Sequence, residues 1–228
     1  MKMQTLFAAF TLGLASQLAS AEDSNAYAGV AVGKSPITFN TNDFFSPRPS
    51  NARNEGATVG QDTSYKLFVG YHFDKTWAIE GGYTHHGNFQ FRSTNVDTRI
   101  TVFDYSASSW YLAGKGVLPV SERASLFAKL GASANKAKNN YWLDSSHVLA
   151  LPLAPFTVVS QPTLASNINP GSKSEVVIAP LVGGGLEYTL KKNVKCRLEY
   201  ENYGKFGGET STGRTYFTMT SIGVSYDF

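Results

Sequence analysis

The sequence contains one cysteine, Cys196, and a lone thiol cannot close an internal disulfide. The fold must therefore be held by packing and hydrogen bonds. Charge is also scarce: only 16% of residues are charged, the net charge is +3, and no basic patch clusters along the chain. That pattern argues against a nucleic-acid partner. No stretch reaches the roughly 20 apolar residues of a membrane-spanning helix. Catalytic signatures are missing as well: there is no CxxC, HExxH, G-x-S-x-G or Walker loop. No cofactor, no metal and no enzymatic activity are expected. The one eye-catching pair is His85-His86, with His72 and His147 standing alone. Neighbours in a strand point to opposite faces, so His85 and His86 cannot readily share a metal or a proton relay. Both are expected at a membrane interface beside lipid headgroups.

Glycine and aromatics are abundant, with 21 Gly, 12 Tyr and 15 Phe. This composition suits many strands joined by tight turns. The final stretch, Thr215 to Phe228, shows the pattern most clearly. Tyr216, Thr218, Thr220, Ile222, Val224, Tyr226 and Phe228 alternate with Phe217, Met219, Ser221, Gly223, Ser225 and Asp227. A period of two places these sets on opposite faces of one strand, and about 9–11 tilted residues cross a bilayer. Ending on an aromatic of the apolar face fits a strand whose outer side meets lipid.

At the other end, Lys2, the short apolar run Leu6 to Leu14 and the small-x-small site Ala19-Ser20-Ala21 read as a cleaved signal peptide over 1–21. Residues 22–228 then form the exported chain. The same alternation marks seven further strands: Asn25–Lys34, Ser64–Phe73, Thr76–His86, Ser106–Leu118, a fifth ending near Asn135, Val176–Leu190 and Val194–Gly204. Short turns (Asp74-Lys75, Pro119–Glu122, Lys191–Asn193) alternate with long polar loops over 35–63, 87–105, 136–175 and 206–214. Short periplasmic turns and longer extracellular loops are the habit of outer-membrane barrels. The expectation is an all-β fold, an eight-stranded antiparallel up-and-down transmembrane β-barrel in the outer membrane of a Gram-negative bacterium. A soluble lipocalin-like barrel would carry its apolar face inside; here the charges fall on the inward parity. Tyr65, Tyr83, Trp110 and Tyr216 near one rim, and Phe73, Trp77, Leu118, Tyr188, Tyr226 and Phe228 near the other, make two interfacial belts. Cys196 falls on the lipid face as an inert small apolar residue.

The inward charges are Lys66, Glu80, Lys115, Lys129, Glu187, Lys195, Arg197, Glu199 and Glu201. Eight strands enclose only enough room for side chains. Near-balance of signs therefore reads as a paired network plugging the bore rather than a gated ion path. The long loop segment Asn139–Asn169 is poor in charge and rich in apolar residues, and exposed apolar surface marks interaction sites. Tyr141, Trp142, Leu149, Leu151 and Phe156, with Phe44-Phe45 of the first loop, are the candidate recognition surface for an extracellular ligand. The alternative is that the apolar residues fold back over the barrel mouth or lengthen the flanking strands.

At GGYTHHG (81–87), AGKGVLPV (113–120), LFAKLGA (126–132), VGGGLEYTL (182–190), CRLEYENYG (196–204) and SIGVSYDF (221–228) the chain resembles the barrel domain of the outer-membrane protein A family. The resemblance implies that Glu80, Lys115, Lys129, Glu187, Arg197 and Glu199 form the interior ion network. It implies a structural membrane barrel with surface-interaction loops, in contact with outer-membrane lipid and lipopolysaccharide. A low-conductance porin is the alternative, and a lipid A-modifying enzyme a more distant one. Larger family members add a peptidoglycan-binding domain, which a chain ending at Phe228 is expected to lack. The terminal aromatics Tyr226 and Phe228 match the signal read by the barrel-assembly machinery, which becomes an implied partner.

Overall fold

A computed structural model describes residues 25–39, 55–59, 63–94, 100–144, 171–208 and 215–228. Residues 1–21, Phe44, Phe45, Leu149, Leu151 and Phe156 lie outside that set. Strands in chain order are β1 (Ala26–Lys34), β2 (Ile37–Phe39), β3 (Glu55–Val59), β4 (Ser64–His72), β5 (Trp77–Thr94), β6 (Ile100–Pro119), β7 (Ala124–Asp144), β8 (Gly171–Lys191), β9 (Val194–Phe206) and β10 (Thr215–Asp227). Eight of them form an antiparallel ring in the order β1-β4-β5-β6-β7-β8-β9-β10, closed by β1 on β10. The closing register runs from Tyr27 opposite Asp227 to Lys34 opposite Thr220. The Phe228 amide also donates to the Ala26 carbonyl at 2.9 Å.

One end of the ring carries tight turns with identifiable causes. Asp74 Oδ1 accepts from the amides of Thr76 (2.7 Å) and Trp77 (2.8 Å). Ser121 Oγ accepts from the Ala124 amide at 3.0 Å. The outer face of the wall is apolar: Val30, Leu67, Leu112, Leu130, Val182, Leu198 and Ile222 are all exposed. Cys196 lies on this face, half-buried and opposite Val224 and Tyr188. In lipid such a surface is covered, and ring closure leaves no backbone edge in the hydrocarbon.

At the opposite end the sequence reading needs correction. Of the loops expected over 35–63, 87–105 and 136–175, strand enters the first and third and takes up most of the second. β2 and β3 lie in the first and pair with β10 and β5. The second is mostly the paired ends of β5 and β6, down to Thr94 opposite Ile100. The third begins as β7, through Asp144, and returns as β8 from Gly171. Strands of 20 and 21 residues in β6, β7 and β8 exceed the bilayer requirement, so the wall projects beyond the membrane. Above the lipid nothing demands an apolar outer face. The alternation that identifies a membrane strand fades there while backbone pairing continues.

Candidate functional site

The inward parity of the eight strands builds a filled bore in three tiers. Nearest the short turns is an open vestibule of about 530 Å³, lined among others by His72, Glu187, Lys195 and Asp227. Lys195, counted above with the interior charges, sits at this mouth, partly exposed and paired with Asp227 at 2.6 Å.

The second tier is ionic. Four cations, Lys66, Lys115, Lys129 and Arg197, meet four carboxylates, Glu80, Glu187, Glu199 and Glu201, and all eight are buried. Glu80 is the hub. Its Oε1 accepts from Lys129 (2.8 Å) and the Tyr111 hydroxyl (2.8 Å), and its Oε2 accepts from Arg197 Nη1 (2.8 Å) and the Tyr27 hydroxyl (3.0 Å). Arg197 turns its other edge to Glu187 Oε1 through Nε (2.9 Å) and Nη2 (2.7 Å), where Lys115 also binds at 2.6 Å. Lys129 continues to Glu201 (2.6 Å) and Glu199, and Lys66 holds the same two, Glu201 at 2.7 Å. The planar guanidinium suits this bridging role because its donors point to two carboxylates at once. Phe68 lies 4.3 Å, ring centre to Cζ, from Arg197, and Phe127 lies 4.8 Å from Lys115 Nζ. These rings fill the space the ions leave.

Rings of this size need room, and two inward glycines on adjoining strands supply it reciprocally. Tyr27 lies opposite Gly70 and Phe68 opposite Gly29. A Cβ at Gly70 would fall 2.2 Å from Tyr27 Cζ, and one at Gly29 2.3 Å from Phe68 Cζ.

The third tier, towards the long-loop end, is hydroxylic and then aromatic. His86 is wholly buried, with Ser35 Oγ 3.1 Å from Nδ1 and Ser109 Oγ 3.0 Å from Nε2. Ser109 donates to Asn135 Oδ1 at 2.8 Å. Asn135 Nδ2 donates to the carbonyls of Tyr203 (2.7 Å) and Lys205 (2.9 Å). Those carbonyls lie at a bulge: β9 shifts register against β10 here, with Gly204 at φ 70°. A matching shift on β5 follows His85, with Gly87 at φ 100°. Both positive angles favour glycine, and both bulges re-aim the residues that follow. As a result Phe89 and Phe206 point inward to meet Phe217 and His86, with Phe206 and Phe217 ring centres 4.6 Å apart.

Residues 21–228 match the OmpA-like transmembrane domain. The chain belongs to that family. Outer membrane protein A of Klebsiella aerogenes is 24% identical over 211 residues, which cover 92% of this chain and 50% of that protein. Its counterpart in Klebsiella pneumoniae is 25% identical over 213 residues, 92% of this chain and 53% of the relative. The chain therefore spans about half the length of these curated relatives. Similar solved structures include OprG of Pseudomonas aeruginosa (11% identity, TM-score 0.48, 91% of this chain and 98% of that one). Another is Ail of Yersinia pestis (14% identity, TM-score 0.46, 90% and 100%). As an OmpA-like barrel the protein resides in the bacterial outer membrane.

All six charged residues singled out by the OmpA-like resemblance meet in the ionic tier. Lys66 and Glu201, inward by parity alone, complete it. Tyr27, Tyr111 and Tyr203 are not among the residues singled out from the sequence, although Tyr111 shares the parity of Lys115 and Tyr203 that of Glu201, to which the Tyr203 hydroxyl donates at 2.8 Å; Tyr27 has no charged residue of its parity on β1. His86 is a correction. It lies inside the bore rather than beside headgroups, as its spacing of two from inward Thr84 indicates. His85 does face outward, with its ring 5.0 Å from that of Tyr65. Tyr141 and Trp142 belong to β7 by backbone, and their side chains lie outside the described set.

Proposed function

We propose that the protein is a closed membrane anchor whose task is performed at its outer rim, by strand extensions and loops that contact an extracellular ligand. The observation supporting this is the filled bore: a neutral ionic tier capped by hydroxyls and rings gives water no continuous path among the described residues. A porin needs such a path, so the filled bore favours the anchor reading over conduction. Lipid A chemistry is not supported either. His86 and its serine partners are fully buried, with no described opening through which a lipid would reach them. On this reading Tyr226, outward on β10 with its ring 5.3 Å from Phe228, belongs to the signal presented to the barrel-assembly machinery.

Replacing Ser145–Ser166 by a short Gly-Ser turn tests the recognition role. The variant is expected to remain a heat-modifiable barrel on unheated gels. Adhesion of expressing cells to cultured host cells, or adsorption of a phage panel, is expected to fall to the level of cells lacking the protein. Unchanged adhesion and adsorption across both panels would reject the loop as the contact surface.

A further inference from the structure

The outer wall carries a polar patch just beyond the extracellular aromatic belt. Tyr83, Trp110, Ala134 and Ile178 face one another across β5 to β8 and form that part of the belt. The next outward row is His85, Ser108, Lys136 and Val176, and the row beyond it includes Ser106, Lys138 and Ser174. Lys136 and Lys138 are both exposed, and neither forms an ion pair among the described residues. Two ammonium groups thus stand side by side on β7, flanked by three serine hydroxyls and an imidazole. The carboxylates on the adjoining strands at this level, Glu175 and Asp104, have other neighbours. Glu175 pairs with inward Ala137 and lies against Gly208, and Asp104, one row further out, accepts from Gln90 at 3.2 Å. On this rim Lys34 of β1 lies on the opposite side of the ring from β7, and Lys205 of β9 stands opposite Tyr216, away from the Lys136–Lys138 pair.

We infer that Lys136 and Lys138 form a seat for the phosphorylated sugar headgroup of a glycolipid in the outer leaflet. Position and charge both carry this. Residues two to four past an interfacial aromatic lie at headgroup depth, since the polar layer adds roughly 5–8 Å on each side of the hydrocarbon. Lysine is a flexible phosphate-binding point charge, and serine hydroxyls suit sugar and phosphate oxygens. A lipid whose acyl chains pack on Ile178 and Trp110 would present its phosphates to the two lysines above. The inference depends on the barrel's orientation in the membrane and not on the loop's recognition role.

The test is native mass spectrometry of the purified protein exchanged into bisphosphorylated lipid A, dephosphorylated lipid A or phosphatidylglycerol. K136Q/K138Q is compared with wild type and with K34Q as the control. Folding is checked in each by heat-modifiable mobility. Retention of bisphosphorylated lipid A is expected to weaken about 30-fold in the double variant and to be unchanged in K34Q. Free inorganic phosphate is expected not to displace the lipid. Equal retention by wild type and the double variant, or of lipid A with and without phosphates, would overturn the assignment. Displacement by inorganic phosphate, or equal retention of phosphatidylglycerol, would reduce the patch to a general anion site and equally defeat it.

Discussion

Glu80→Ala is expected to lower the stability of the folded barrel by about 3–5 kcal/mol, the cost typical of stripping one partner from a buried ion cluster. Four donors each lose an acceptor at once: Lys129, Arg197, Tyr27 and Tyr111. The interior also shifts from four cations against four anions to an excess of one positive charge among buried side chains. Added salt should not rescue the variant, because buried charges are screened far less than exposed ones. Glu80→Gln combined with Lys129→Met restores the balance and should recover a large part of the loss. Urea unfolding in lipid vesicles, followed by the gel shift between folded and unfolded bands, measures each value. A loss below about 1 kcal/mol for Glu80→Ala would mean that the cluster is not the cohesive unit described.

The second large effect is expected at a residue with no polar atoms in its side chain. Gly70→Ala places a methyl group 2.2 Å from Tyr27 Cζ and 2.4 Å from its hydroxyl. Tyr27 must move, and its 3.0 Å bond to Glu80 and its position 5.1 Å from Lys115 Nζ move with it. Overpacking of this kind costs about 1–3 kcal/mol, and an unmet hydrogen bond to a buried charge adds about as much. A loss of roughly 2–6 kcal/mol is therefore expected by the same unfolding assay. In a Tyr27→Ala background the ring is already gone, and Gly70→Ala should cost little. Such non-additivity is the signature of direct contact. Equal cost in both backgrounds would place the penalty in the backbone instead of in the ring.

The parts of this structure that lie in lipid were legible in the sequence, and the reason is physical. A membrane strand must be apolar on one face, so Leu67, Val69 and Leu112 outside and Lys66, Glu80 and Lys115 inside are sorted by a period of two. Beyond the bilayer that demand lapses. β5 runs on through Gly87 to Thr94, with Asn88 exposed and Phe89 buried in place of the apolar-out pattern, and its pairing with β6 comes from backbone geometry that the membrane pattern does not record. The bulges at His85/Gly87 and at Tyr203–Gly204 defeat parity in a second way. One inserted residue reverses every face that follows, which is why Phe89 and Phe206 point inward. His86 precedes the reversal, and its inward position follows from Thr84 by simple alternation.

Single-channel recording of the purified barrel in planar lipid bilayers tests the central claim most directly, that the bore is closed by its own paired ions and rings. A bore so filled should show no sustained conductance steps at neutral pH and high salt, in wild type or after replacement of Ser145–Ser166. A stable open level in the wild-type protein, persisting through many insertions, would contradict it.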